Sequence, residues 1–147
     1  MASIIRLDKV KGYPISFKNT VGELENGQFL SLKGLIEGDR EAYEVEKATK
    51  STTGTIVLHA SVPVLYDERL LETDFVLKEN AVGRAYIPEK GDIVTISETF
   101  GTGTINVGDQ LGINASGKLA SAESTKIVEV IAKEKFSGQS SLVLQFI

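Results

Sequence analysis

Catalysis or ligand chemistry in a chain of this size calls for an activated histidine or cysteine, converging carboxylates, or a loop that cradles phosphate. There is no cysteine, so disulfides, thiolate metal sites, iron–sulfur clusters and cysteine nucleophiles are excluded. His59 is the only histidine. It could serve as a general base with a nucleophile or carboxylate beside it. It stands, however, in the strand-like run Ile56-Val57-Leu58-His59-Ala60-Ser61-Val62, where a packed or sheet-face histidine is the expectation. The segment Gly101-Thr102-Gly103-Thr104-Ile105-Asn106-Val107-Gly108 evokes a phosphate loop. It lacks the dinucleotide spacing and the Walker lysine, and a strand follows where those motifs need a helix amino end, so it reads as a connection. Asp67, Glu68, Glu72, Asp74 and Glu79 could offer oxygens to a hard cation, but their spacing matches no calcium loop and a solvated acidic loop accounts for them. With no Trp and four Tyr, a sugar platform between paired carboxylates is poorly supplied. The expectation is a protein with no catalytic, cofactor-binding or metal-binding residues, and not an enzyme.

The elements that would position any site are short strands. A phrase recurs three times, as Gly27-Gln28-Phe29-Leu30-Ser31-Leu32, Gly91-Asp92-Ile93-Val94-Thr95-Ile96 and Gly108-Asp109-Gln110-Leu111-Gly112-Ile113. Each is a glycine turn, then a polar residue, then a run whose fourth and sixth positions are apolar, the pattern of a half-buried strand entered from a tight turn. Glu41–Ala48 sets Tyr43 and Val45 against Glu44 and Glu46, a strand with one wet face. Thr55–Tyr66 is strongly strand-like until Pro63, which marks an edge or a bulge. Asp67–Asn80 reads as either a short helix, from Leu71, Phe75 and Lys78, or an irregular acidic loop. Residues 81–87 and 92–97 read as two strands joined by a loop of hairpin length, Pro88-Glu89-Lys90-Gly91. Residues 126–136 and 140–147 form a second hairpin pattern around Ser137-Gly138-Gln139, and the closing apolar run places the last residue inside a sheet. The fold class is therefore all-β, a small β-barrel or sandwich of short strands with an extended N-terminal arm. The arm is residues 1–18 and the β-rich body is 19–147, with a smaller lobe at 19–80 and a barrel-like unit at 81–147.

The chain has 147 residues, 41% of them hydrophobic, enough for one substantial core. No apolar run approaches the roughly 20 residues that cross a bilayer and no signal segment opens the chain, so a soluble protein made in the cytoplasm, with no membrane partner, is expected. The formal net charge of −4 argues against a nucleic-acid partner. Charge is unevenly placed. Residues 1–18 hold Arg6, Lys9, Lys11 and Lys18 against Asp8, a net of +3, which leaves −7 on the remainder. A basic arm on an acidic body suggests partner-binding through Arg6, Lys9, Lys11 and Lys18 to an acidic surface, a second copy of the chain being one such surface.

The order Asn26-Gly27-Gln28-Phe29-Leu30-Ser31-Leu32, Glu41-Ala42-Tyr43-Glu44-Val45-Glu46-Lys47-Ala48-Thr49, Ala81-Val82-Gly83-Arg84-Ala85-Tyr86, Lys90-Gly91-Asp92-Ile93-Val94-Thr95-Ile96-Ser97 and Val107-Gly108-Asp109-Gln110-Leu111 resembles the head decoration, or capsid cement, proteins of tailed bacteriophages. The resemblance covers about residues 20–147 and leaves residues 1–18 unmatched. It implies a structural virion protein on the capsid exterior, partnered with the major capsid protein, bridging and stabilising its subunits, commonly as a trimer. The other readings are a tail, baseplate or head-fibre component, or a ligand-binding barrel using Asp92 and Asp109.

Overall fold

The computed structural model describes residues 5–36, 42–51, 55–61, 76–136 and 139–147. Among these the chain is all-β, built from a closed barrel and a six-stranded sheet. The barrel strands are β2 (Tyr13–Lys18), β4 (Phe29–Leu35), β5 (Ala42–Lys47), β6 (Ile56–His59) and β8 (Val82–Ile87). They close in the order β2-β5-β4-β6-β8, with β2 and β5 parallel and the other pairs antiparallel. The sheet takes β1 (Ile5–Lys9), β9 (Ile93–Ser97), β10 (Gln110–Ile113), β11 (Leu119–Ala120), β12 (Val128–Phe136) and β13 (Gln139–Phe146), in the order β1-β9-β13-β12-β10-β11. A short pair, β3 (Leu24–Glu25) with β7 (Val76–Leu77), lies beside them, and a 3₁₀ turn spans Glu98–Phe100.

Strand alternation builds the barrel interior. Ile15 and Phe17 of β2 are buried while Pro14, Ser16 and Lys18 between and after them face solvent. Phe17 stands in register with Gly83 of β8, and a Cβ on Gly83 would sit 2.9 Å from the Phe17 ring. Glycine there is room for the aromatic. Leu30, Val45, Val57 and Ala85 complete this cluster with Leu24 and Leu77.

The same alternation joins barrel to sheet. Phe29 and Leu58 are register partners on β4 and β6, and they point away from the barrel interior that Leu30 and Val57 fill. They belong to the larger core, with Val94, Ile96, Leu111, Val128, Val130, Leu142 and Leu144 of the sheet, and the Phe29 ring meets that of Phe146 edge-on at 6.3 Å. Barrel and sheet thus bury one apolar layer between them, distinct from the cluster inside the barrel.

Several expectations are corrected by this arrangement. Residues 5–18 are extended, but they are no free arm: β1 pairs with β9 and β2 closes the barrel against β8 and β5. Backbone N–H and C=O groups seek partners, and here the chain's own strands supply them. The barrel strands are β2, β4, β5, β6 and β8 and the open-sheet strands β1 and β9–β13, which differs from the expected lobe at 19–80 and barrel-like unit at 81–147. β8 and β9 form where expected but do not pair with each other, because the loop between them carries the chain from barrel to sheet. The β12–β13 hairpin is as expected, with Phe136 opposite Gln139. The final strand ends at Phe146, and Ile147 beyond it is exposed. Residues 62–75, which include Pro63 and most of the acidic set, lie outside the described residues; Val76–Leu77 is strand and Asn80 takes a left-handed turn conformation, φ 66°.

Candidate functional site

The four basic residues expected to bind a partner are not brought into one patch. Arg6 and Lys9 lie on β1, in register with Thr95 and Ile93 of β9, at the rim of the six-stranded sheet. Lys11 is exposed in the turn that leaves β1, and Lys18 is exposed at the far end of β2. At about 3.3 Å per residue, Lys18 sits roughly 16 Å along that strand from Tyr13, so it belongs to another part of the surface. What remains as a candidate is the β1 edge with Arg6, Lys9 and the following Lys11. Among the described residues β1 pairs on one side only, and a register shift between Leu7 and Lys9 puts a bulge at Asp8. Leu7 anchors the strand by packing on the larger core.

Asp92 fixes where that edge sits. It closes the second of three turns of common design. Glu25-Asn26-Gly27-Gln28, Glu89-Lys90-Gly91-Asp92 and Asn106-Val107-Gly108-Asp109 each place glycine at positive φ (99°, 94° and 96°) in the third position. In each, the side-chain oxygen of the fourth residue accepts the backbone N–H of the first, at 2.6 Å for Gln28, 2.8 Å for Asp92 and 2.9 Å for Asp109. Asp109 and Gln28 stop there. Asp92, only 2% exposed, also accepts the N–H groups of Lys11 at 2.9 Å and Gly12 at 3.0 Å. Burial raises the Asp92 pKa; three backbone donors and the Lys11 charge outweigh it and hold the carboxyl below its ordinary value. A Cβ on Gly12 would lie 2.0 Å from the Ile87 carbonyl oxygen, so glycine is required for the close approach.

A second polar group is buried at the barrel. The His59 Nδ1–H donates to the Glu25 carbonyl oxygen at 2.8 Å, since a carbonyl only accepts, which leaves Nε2 to accept the Ser61 hydroxyl at 2.7 Å. The Ser61 oxygen also accepts the Arg84 N–H at 3.1 Å, while Asn26 and Ser61 exchange side-chain and main-chain bonds at 2.9 and 2.8 Å. A serine, a histidine and an orienting acceptor in line is the outline of an activated nucleophile. Here His59 has no exposed surface, Ser61 is 7% exposed, and the Phe17 ring covers the imidazole edge-on at 5.5 Å. Burial, opposed by the Glu25 carbonyl bond, brings the His59 pKa down to about 4, so the ring is neutral. The network is a cross-link between β3, β6 and β8. The sequence signal for its partner Ser61 is the spacing of two from His59, which in extended backbone returns to the same face, although β6 itself ends at His59. Glu25 keeps one carboxylate oxygen buried without a partner, and burial raises its pKa.

Among the described residues no group of three or more His, Asp and Glu side chains is placed to hold a metal ion, and no helix is long and apolar enough to cross a membrane. Asp109 and the glycine segment at 101–108 converge on no ligand geometry: the Asp109 carboxylate is taken up by its own turn.

No family model matches the sequence, and no curated protein matches it. Among solved structures the chain is similar to the head fibre gp8.5 N base of bacteriophage phi29, with a TM-score of 0.47 and 13% identity over 92% of this chain and 98% of that one. A likeness of that strength carries no functional argument.

Proposed function

We propose that this chain is a structural protein of a tailed-bacteriophage head, which binds the outer surface of the capsid, bridges major capsid protein subunits and stabilises the shell without catalysing a reaction. The ordered glycine-turn phrases support the reading, and the observation that carries it is the β1 edge. Ile5–Lys9 is a five-residue strand held on one side by β9, with Arg6 and Lys9 in it and Lys11 just beyond. A strand of a partner can add to its outer edge through main-chain hydrogen bonds. The positive charge of this stretch favours an acidic partner segment. Two copies meeting edge to edge at β1 would set Arg6 and Lys9 of one against those of the other, so a trimer of this protein would form through other faces. Around a symmetric shell, modest interfaces repeat and their avidity accumulates.

The test is co-sedimentation of the purified chain with expanded phage heads, comparing wild type with Arg6→Glu, Lys9→Glu. Wild type pellets with the heads and the double variant stays in the supernatant at moderate salt, with an unchanged thermal transition. Equal pelleting of the two, or wild type that binds tails and not heads, overturns the reading.

A further inference from the structure

A cleft of about 170 Å³ opens along the seam between barrel and sheet. One wall is Thr49 and Lys50, from the loop after β5; the other is Glu123, Ser124 and Thr125, from the loop before β12. Ile56, Ile113 and Ile127 line it from three different segments. Ile113 is buried, whereas Ile56 and Ile127 pack on the core and keep part of their surface exposed.

Its walls are set by backbone contacts. The Lys50 N–H donates to the Asn114 carbonyl at 3.2 Å and the Ile127 N–H to the Leu111 carbonyl at 2.9 Å. A Cβ on Gly112 would lie 2.0 Å from the Thr125 carbonyl oxygen, so the 123–125 loop rests directly on the β10 main chain. A cleft framed in this way is pre-organised, and little ordering opposes binding in it.

Its size and lining select the occupant. The volume falls below the roughly 300 Å³ at which sites for small molecules begin, which points to a single side chain. The isoleucines offer an apolar bed. Around it, the hydroxyls of Ser124 and Thr125 can both donate and accept, as a peptide backbone requires, while the Thr49 hydroxyl is already bonded to that of Ser51 at 3.0 Å. Lys50 and Glu123 put one cation and one anion on opposite walls, and no ion pair engages either among the described residues. We infer that the seam cleft is a socket for one aliphatic side chain of a partner protein, presented on an extended segment with one acidic and one basic neighbour. A segment seated there touches barrel and sheet at once. This inference concerns a face separate from the β1 edge and does not depend on the capsid reading.

The test uses the full chain with ¹³C-labelled isoleucine methyl groups and two blocked peptides, acetyl-Asp-Leu-Lys-amide and acetyl-Asp-Ala-Lys-amide. The leucine peptide is expected to give saturable shifts of the Ile56, Ile113 and Ile127 methyls in the millimolar range. The alanine peptide binds about tenfold more weakly, since it lacks the buried side chain. Ser124→Trp, a substitution at an exposed rim position, fills the cleft and abolishes the shifts while leaving the buried Ile96 methyl in place. No saturable shift, or equal shifts from both peptides, overturns the proposal. So does a change of oligomeric state in Ser124→Trp, which would assign the cleft to a second copy. Sedimentation with heads reads the capsid proposal independently of any of these outcomes.

Discussion

The carboxylate of Asp92 accepts the backbone N–H of Gly12 at 3.0 Å across a sequence separation of 80 residues. Gly12 is where the chain passes from the sheet strand β1 to the barrel strand β2, and Asp92 is where it passes back from β8 to β9. One buried carboxylate thus ties the two crossovers between the halves of the molecule. The Asp92 carbonyl also accepts the Phe146 N–H at 2.9 Å, which brings the last strand into the same knot.

Replacing Asp92 strands three amide donors, two of them far away in sequence. Hydrogen bonds to a charged group contribute about 1.5–3 kcal/mol each and are not additive, so Asp92→Ala is expected to cost on the order of 3 kcal/mol and Asp92→Asn somewhat less. Asp109→Ala loses one exposed turn bond and costs about 1 kcal/mol or less. Urea denaturation of the three variants measures the ranking; equal effects at positions 92 and 109 would contradict the knot.

Glycine positions separate steric need from turn preference. Gly12→Ala drives a methyl into the Ile87 carbonyl and is expected to destabilise by about 3 kcal/mol or more. At Gly34 a Cβ meets nothing within 4 Å and no positive φ is required, so Gly34→Ala is expected to change stability by less than about 0.5 kcal/mol. Thermal melts of the pair decide the point.

Acidification should act in two stages. His59 has a folded-state pKa of about 4, below its ordinary 6.5, so the unfolded chain binds the proton first and stability falls as pH drops from about 6.5 to 4. A depression of that size corresponds to about 3 kcal/mol. Asp92 is also depressed, so its contribution is intact above the ordinary carboxylate range and is lost as pH falls below it. Stability measured from pH 7 to 3 should fall in both windows, and Asp92→Asn should remove the lower one alone. A flat profile between pH 6.5 and 4 contradicts the neutral, buried His59.

Deletion of residues 1–18 should unfold the protein. It removes β2, which closes the barrel and carries Phe17 with no exposed surface. Circular dichroism should show loss of the cooperative transition; a truncated chain that melts as wild type does would contradict the barrel closure.

The local features of this fold are visible in the sequence, and the long-range ones are not. Gly27, Gly91 and Gly108 announce their turns because positive φ at the third turn position favours glycine, and the apolar positions after each become buried strand residues such as Leu30, Val94 and Leu111. Hydrophobic alternation predicts the strands but not their partners. β8 and β9 look like a hairpin, yet each finds its neighbours elsewhere. The stretch at 1–18 reads as an arm for the same reason, since period-two patterning says nothing of which edge accepts a strand. Asp92 resembles Gln28 and Asp109 in its phrase, and only the approach of Lys11 and Gly12 from across the chain makes it a hub. The seam cleft, assembled from four separate segments, has no sequence signature at all.

The proposed role is tested most directly by a cryo-electron microscopy map of expanded phage heads incubated with the protein. Density for this chain is expected on the outer capsid surface, with a strand of a capsid subunit laid along the side of Ile5–Lys9 that, among the described residues, pairs with no strand. Bare heads, or bound molecules whose Ile5–Lys9 edge faces solvent, would contradict it.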